Sequence, residues 1–219
     1  MKRDELAVYF IMGTPNCNRD PLLILKEALE AGITIFQLRE KGEGALVGDE
    51  LIQFAKNCQS LCRQYNVPFI VNDHVELARE IDADGVHVGQ DDSRLSEVRT
   101  LFPHKIVGVS VHTMEEMEAA IAGGADYVGI GPIYETSSKL DAKRPAGVTF
   151  LEQARKAYPT FPIVAIGGIS EKNAQPVLAA GSDGVAVISA ICGSASIKDT
   201  VNQLLHHDVR LVRSISILN

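Results

Sequence analysis

Ile33-Thr34-Ile35-Phe36-Gln37-Leu38-Arg39-Glu40-Lys41 is an apolar run that ends in charge. Side chains alternate along a strand, so Gln37, Arg39 and Lys41 point one way while Phe36 and Leu38 point the other. An amide and two cations emerge together where the strand stops. The pattern returns down the chain: Val67 to Val71 ends in Asn72-Asp73, Val86 to Gly89 in Gln90-Asp91-Asp92, and Ile106 to Val109 in Ser110. Polar groups gathered at the C-terminal ends of apolar strands mark a parallel α/β fold, which builds its sites there.

Reading outward, short β-branched runs alternate with amphipathic stretches. Strands are expected at Ala7–Met12, Thr34–Arg39, Phe69–Asn72, Gly85–Val88, Ile106–Ser110, Tyr127–Gly131, Ile163–Ile166 and Gly184–Ile188. Helical patterns follow each: Pro21–Ala31, Val47–Tyr65, Val75–Ile81, Leu95–Phe102, Met114–Ala122, Phe150–Tyr158, Glu171–Ala180 and Lys198–His206. Eight βα units in 219 residues allow about 27 residues each, the compact end of a (β/α)8 TIM barrel. The phrases Ala83-Asp84-Gly85-Val86, Ala125-Asp126-Tyr127-Val128 and Ser182-Asp183-Gly184-Val185 mark three helix-to-strand turns. Parity favours closure. Val107, Val109, Val128 and Ile130 would face helices, while Ile106, Gly108, Ser110, Gly129 and Gly131 face inward and leave room for a ligand. A doubly wound open sheet is the competing architecture. No Pro/Gly-rich linker divides the chain, which reads as one domain over 1–219, with the barrel at about 6–207. The tail, 208–219, alternates like a strand beyond the eighth unit; disorder, an extra strand and a homo-oligomer contact all remain open.

A hydrophobic content of 46% supports a sizeable core. The net charge of −7 argues against nucleic acid or an anionic membrane as partner, so Arg39 and Lys41 form a positive island on an acidic protein. Cys58 and Cys62 share a helix face, but no second pair completes a metal-ligand spacing; they and Cys17 and Cys192 read as reduced thiols. Leu6 to Met12 is too short to span a bilayer, and Asp4-Glu5 spoils a secretory n-region. The expected location is cytoplasmic.

Asp73 and Asp92 end neighbouring strands. Two carboxylates at one cavity suit Mg²⁺, although Asp73 and Asp91 or Asp92 could instead cap the helices that begin near Val75 and Ser93. Beside Arg39, Lys41 and Lys139, a metal–diphosphate site is the better description. Gly167-Gly168 after the seventh strand and Ile188-Ser189 after the eighth occupy the positions where barrels cradle phosphate. Thr136-Ser137-Ser138-Lys139 lies in the long stretch from Pro132 to Gly147, which suits a flap over phosphates. His112 has inward parity and could be an acid–base group or a donor; His87 lies deeper and reads as a core histidine.

Together, Gln37-Leu38-Arg39-Glu40-Lys41, Val71-Asn72-Asp73, Gly89-Gln90-Asp91-Asp92, Gly108-Val109-Ser110-Val111-His112-Thr113, Gly129-Ile130-Gly131-Pro132-Ile133-Tyr134 and Ile166-Gly167-Gly168-Ile169 resemble the thiamine-phosphate synthase family, from Tyr9 to about Ile191. The resemblance implies a transferase that joins hydroxymethylpyrimidine diphosphate to a thiazole phosphate and releases diphosphate. It implies that Gln37, Leu38, Arg39, Glu40, Lys41, Asn72, Ser110 and Lys139 hold the pyrimidine diphosphate, with Arg39, Lys41, Ser110 and Lys139 catalytic. Asp73 and Asp92 would bind Mg²⁺; Thr136, Ser137, Ser138, Gly168, Ile188 and Ser189 would hold the thiazole phosphate. Ser138 stands where the family often has Thr, which keeps the hydroxyl. Two rivals differ in what they need. A thiazole tautomerase of the same barrel family would use His112 and need neither metal nor Lys41, Asp73, Asp92 and Lys139 together. A non-catalytic phosphate-ligand-binding regulator would be expected to have lost a metal ligand or Lys139.

Overall fold

Every strand pairs in parallel with its neighbours in sequence, and the eighth returns to the first through Val8↔Val185 and Phe10↔Val187. The computed structural model describes residues 1–89, 95–136, 138, 145 and 147–206. Its strands are β1 (Val8–Met12), β2 (Ile35–Leu38), β3 (Phe69–Asn72), β4 (Gly85–Val88), β5 (Ile106–Val111), β6 (Tyr127–Ile130), β7 (Ile163–Ile166) and β8 (Gly184–Val187). The closed ring is a (β/α)8 barrel and rules out the open sheet.

The helices are α1 (Pro21–Ala31), α2 (Gly48–Gln64), α3 (Val75–Glu80), α4 (Leu95–Leu101), α5 (Met114–Ala122), α6 (Gly147–Ala157), α7 (Ala174–Ala179), α8 (Ser189–Cys192) and α9 (Ile197–His206). Their starts follow ordinary capping. The Asp20 carboxylate accepts from Leu22 N with Pro21 in the first turn, and the Thr113 hydroxyl accepts from Glu116 N. The larger departures from expectation fall at α6, which begins at Gly147 rather than Phe150, at α7 and after β8. Helix α7 begins at Ala174 rather than Glu171, because Asn173 Oδ1 accepts from Ser170 N at 2.8 Å and holds 170–173 as a turn. A short additional helix, α8, follows β8 directly. None of the helices is long and apolar enough to cross a membrane among the described residues.

Two faces of the ring do different work. Phe10, Phe36 and Phe69 lie in register on adjacent strands, with ring centroids 5.6 and 5.9 Å apart, and carry the apolar face opposite Gln37. Cys58 and Cys62, fully buried on α2, are core thiols whose ionisation burial pushes upward. Inside the ring, the Tyr127 side chain fills the space that a Cβ on Gly108 would need, and His87 lies against Gly129. The small inward residues of β5 and β6 make room for two large polar ones.

The three repeated Asp phrases close the ring at the N-terminal ends of the strands. Asp84 accepts the N–H of Phe69 at 2.9 Å, Asp126 that of Val107 at 2.8 Å and Asp183 that of Ile163 at 2.8 Å. Each Asp returns its own N–H to the carbonyl of the same partner. Arg99 of α4 and Arg155 of α6 reach the Asp126 and Asp183 carboxylates at 2.7 Å and also satisfy loop carbonyls; Arg3 adds a second cation to Asp183 at 2.5 Å.

Asp183 is fully buried between cations, so its loss leaves charges without their partner, whereas Asp84 has a hydrogen-bonding role at a half-buried turn. Asp183→Ala is expected to cost about 3–5 kcal/mol and Asp84→Ala about 1–3 kcal/mol, read from urea unfolding midpoints. Equal midpoint shifts would contradict this ranking.

Candidate active site

Parallel closure brings all eight strand C-termini to one mouth, where, among the described residues, the polar ends of β2, β3 and β5 lie. After β2, Arg39 is 7% exposed despite its charge, and its main-chain N–H donates to the Met12 carbonyl at 2.9 Å. Lys41 forms an ion pair with Asp73, which follows β3. Asn72 donates from Nδ2 to the Asp73 carboxylate at 2.6 Å. Asp73 adopts φ +55°, an uncommon conformation outside glycine that Asp tolerates better than most residues.

The alternative that Asp73 merely caps α3 does not hold. His74 is the capping residue: its Nδ1 accepts from Leu77 N at 3.3 Å. The Asp73 carboxylate instead pairs with Lys41 and accepts from Asn72. Asp92, Gln90 and Asp91, the other acidic loop of the sequence reading, lie outside the described residues, as do Ser137 and Lys139.

A second region lies around the ends of β6, β7 and β8. Thr136, Ser138, Gly168, Ser170, Ser189 and the start of α8 border a cleft of about 470 Å³. The Ser138 hydroxyl donates to the Ser189 hydroxyl at 3.3 Å, so the β6 loop meets the β8 loop directly. Gly168 has φ +65°, and a side chain there would overlap the Glu135 carbonyl. Glycine is therefore required where the backbone turns tightly against the cleft. Ile188 is 7% exposed and precedes the first turn of α8, so its contribution is main-chain.

Between these regions a hydrogen-bonded chain crosses the barrel interior. Gln37 Nε2 donates to the Tyr9 hydroxyl at 2.7 Å, and the Tyr9 and Tyr127 hydroxyls share a bond of 2.6 Å. His87 Nδ1 lies 3.0 Å from the Tyr127 hydroxyl and its Nε2 2.9 Å from Ser110 Oγ. His87 is thus a satisfied interior histidine, as its depth in the strand implied, and it also fixes the orientation of Ser110. His112 belongs to a different arrangement: Glu116 accepts its N–H at 2.5 Å and sits 3.2 Å from Nδ1.

Residues 8–191 match the family model described as thiamine monophosphate synthase. The chain belongs to that family. It is 57% identical over 203 residues to thiamine-phosphate synthase of Lysinibacillus sphaericus (strain C3-41), covering 92% of this chain and 95% of that protein. Identity to thiamine-phosphate synthase of Bacillus cereus (strain AH820) is 58% over 200 residues, 91% of each. Among solved structures, thiamine phosphate pyrophosphorylase from Pyrococcus furiosus superposes with a TM-score of 0.84 at 35% identity, covering 94% of this chain and 96% of that one. The chain is accordingly a transferase of thiamine biosynthesis.

Within this thiamine monophosphate synthase barrel, two members of the Gln37–Lys41 run do not offer side chains to the mouth. Leu38 is 1% exposed and lies on the face opposite Gln37. Glu40 turns its carboxylate to the chain, accepting from Thr14 N at 2.8 Å and Leu46 N at 2.9 Å. Conversely, Tyr9 and Tyr127 take part in the interior polar chain although their sequence positions suggested no site role. A hydroxyl on an inward position of an otherwise apolar strand was the available signal.

Burial pushes the Tyr9 and Tyr127 hydroxyls well above the ordinary phenol range, although the Gln37 hydrogen bond pulls the other way on both. The folded protein therefore keeps two protons that the unfolded chain releases above about pH 10. Stability from this source is fully present below that pH and falls as pH rises beyond it. Alkaline urea titrations should show such a decline, smaller in Tyr127→Phe, with the phenolate absorbance of both residues arising only on unfolding; early phenolate absorbance from the intact fold would contradict it.

Proposed function

We propose that the chain condenses hydroxymethylpyrimidine diphosphate with thiazole phosphate to give thiamine phosphate and diphosphate. The observation that carries this reading is the Lys41–Asp73 ion pair beside Arg39 and Asn72 on one flank of the mouth. A cleft lined by hydroxyls and glycine, with Lys172, Glu135 and Glu171 also on its wall, occupies another flank. Two anion-holding regions around one opening suit two substrates that each carry phosphate.

On this reading Gln37, Arg39, Lys41, Asn72, Ser110 and Lys139 hold the pyrimidine diphosphate, while Leu38 and Glu40 carry the backbone that presents them. Thr136, Ser137, Ser138, Gly168, Ile188 and Ser189 hold the thiazole phosphate. The Asp73 carboxylate is a hard oxygen donor at the rim, which fits Mg²⁺, an ion that takes one or two carboxylates and completes its shell with water and substrate phosphates; Asp92 would be its companion. When bound, Mg²⁺ would offset charge building on the departing diphosphate.

The rest falls to the side chains of the mouth. The methylene C–O bond breaks with its electron pair leaving on diphosphate, and the electron-rich aminopyrimidine supports the cationic carbon. Arg39 and Lys41, with Lys139, meet the negative charge as it grows; Arg39, almost fully withdrawn from water, acts through a low local dielectric. Ser110, held by His87, supplies an oriented hydroxyl. The thiazole nitrogen then forms the C–N bond with its own lone pair. No proton leaves that nitrogen, so the step needs no general base.

Incubation with both substrates and Mg²⁺ should release diphosphate, and a chelator should abolish release reversibly. Full diphosphate release without divalent ions would refute the metal requirement, and no release from the two substrates would favour the tautomerase instead. Asp73→Asn, which Asn's tolerance of positive φ lets fold normally, should lower turnover about 100-fold or more. Asp92→Ala should do likewise with little loss of stability, and unchanged turnover in both variants would refute the metal assignment. Lys139→Ala should slow diphosphate departure more than thiazole phosphate binding, as isotope trapping would reveal.

A further inference from the structure

Glu40 stands between the two cations of the rim, yet its carboxylate is taken up by the chain itself. Oε2 accepts the N–H of Thr14 at 2.8 Å, and Oε1 accepts both the N–H of Leu46 at 2.9 Å and the Thr14 hydroxyl. These contacts tie the turn after β1 to both sides of the loop after β2. The same two segments touch again one residue earlier. Arg39 N–H donates to the Met12 carbonyl at 2.9 Å, and a Cβ on Gly13 would overlap the Arg39 carbonyl. The turn is closed on its own side by Asn16, whose Oδ1 accepts from Gly13 N at 2.9 Å.

We infer that Glu40 is a positioning residue, which aims Arg39 and Lys41 at the diphosphate without touching substrate. The inference rests on the roles given to Arg39 and Lys41 above. Its chemistry explains why a carboxylate stands among anion-binding cations. All three partners are donors, and a carboxylate offers two oxygens that only accept. Glutamine has one acceptor oxygen and a donating NH2; in either orientation the NH2 faces a main-chain N–H, and Thr14 or Leu46 loses its acceptor. Aspartate is one methylene too short to reach both segments. Arg39 and Lys41 are each one peptide from Glu40, so a shift of this backbone moves both charges, and misplacement by about 1 Å can cost about 100-fold in rate.

Charge alone predicts the opposite sign. Removing a negative group beside two cations should strengthen the binding of an anion, whereas loss of aim should weaken it. The test compares Glu40→Gln, Thr14→Ala and Thr14→Ser in the full chain. Calorimetry with inorganic diphosphate and Mg²⁺ is run alongside steady-state kinetics for both substrates. Glu40→Gln is expected to weaken diphosphate binding and raise KM for the pyrimidine diphosphate by about 10-fold or more, with KM for the thiazole phosphate within about twofold. Thr14→Ala, which leaves every charge in place, should move the same two quantities in the same direction by less, and Thr14→Ser should restore them.

Diphosphate binding as tight as wild type or tighter in Glu40→Gln would overturn the inference. So would a silent Thr14→Ala beside an impaired Glu40→Gln, which would mean direct contact with substrate, or an equal rise in both KM values. Absence of diphosphate release by the wild-type chain would instead count against the proposed reaction. The calorimetric comparison would still decide the role of Glu40.

Discussion

Closure of eight parallel strands into a ring is the constraint on which the rest of the structure depends. Parallel strands send all their C-termini to one end, so Arg39 after β2 and Ser189 after β8 lie at the same end of the ring although they are far apart in the chain. The same closure fixes which side chains look inward. Tyr9, Gln37, His87, Ser110 and Tyr127 can form one hydrogen-bonded chain because each sits at an inward position of its strand. A slip of one residue in any of these strands would turn the polar group toward the helices.

An interior polar chain is costly unless every member is satisfied. Among the described residues, no buried side-chain nitrogen or oxygen lacks a hydrogen-bond partner. The chain links Gln37, beneath the cationic flank, with Ser110, part of the way round the mouth. Its amide, hydroxyl and imidazole groups orient one another inside the barrel.

Much of this was legible from residue types and spacing. Alternation in Ile33–Lys41 and the polar ends of the next strands indicated a parallel fold, whereas the room expected for a ligand beside Gly108 and Gly129 is filled by the Tyr127 and His87 side chains. Other features depend on partners that spacing cannot supply. Tyr9 and Tyr127 are 118 positions apart, and only closure brings their hydroxyls together. Helix α8 was hidden because Ile188-Ser189-Ala190-Ile191 continues the apolar character of β8. Glu40 lies in a run whose neighbours face the mouth, and nothing local shows that Thr14 and Leu46 claim its carboxylate. Asp73 was ambiguous between metal ligand and helix cap, and His74 proved to be the cap.

The aspartate clasps of Asp84, Asp126 and Asp183 act at the floor of the ring, opposite the opening where the chemistry is assigned. Cohesion and reactivity are thus housed at separate poles. Loops at the reactive pole can be lengthened, exchanged or retuned for a different acceptor while the hoop below keeps the ring shut. A scaffold divided in this way is well suited to taking on new chemistry.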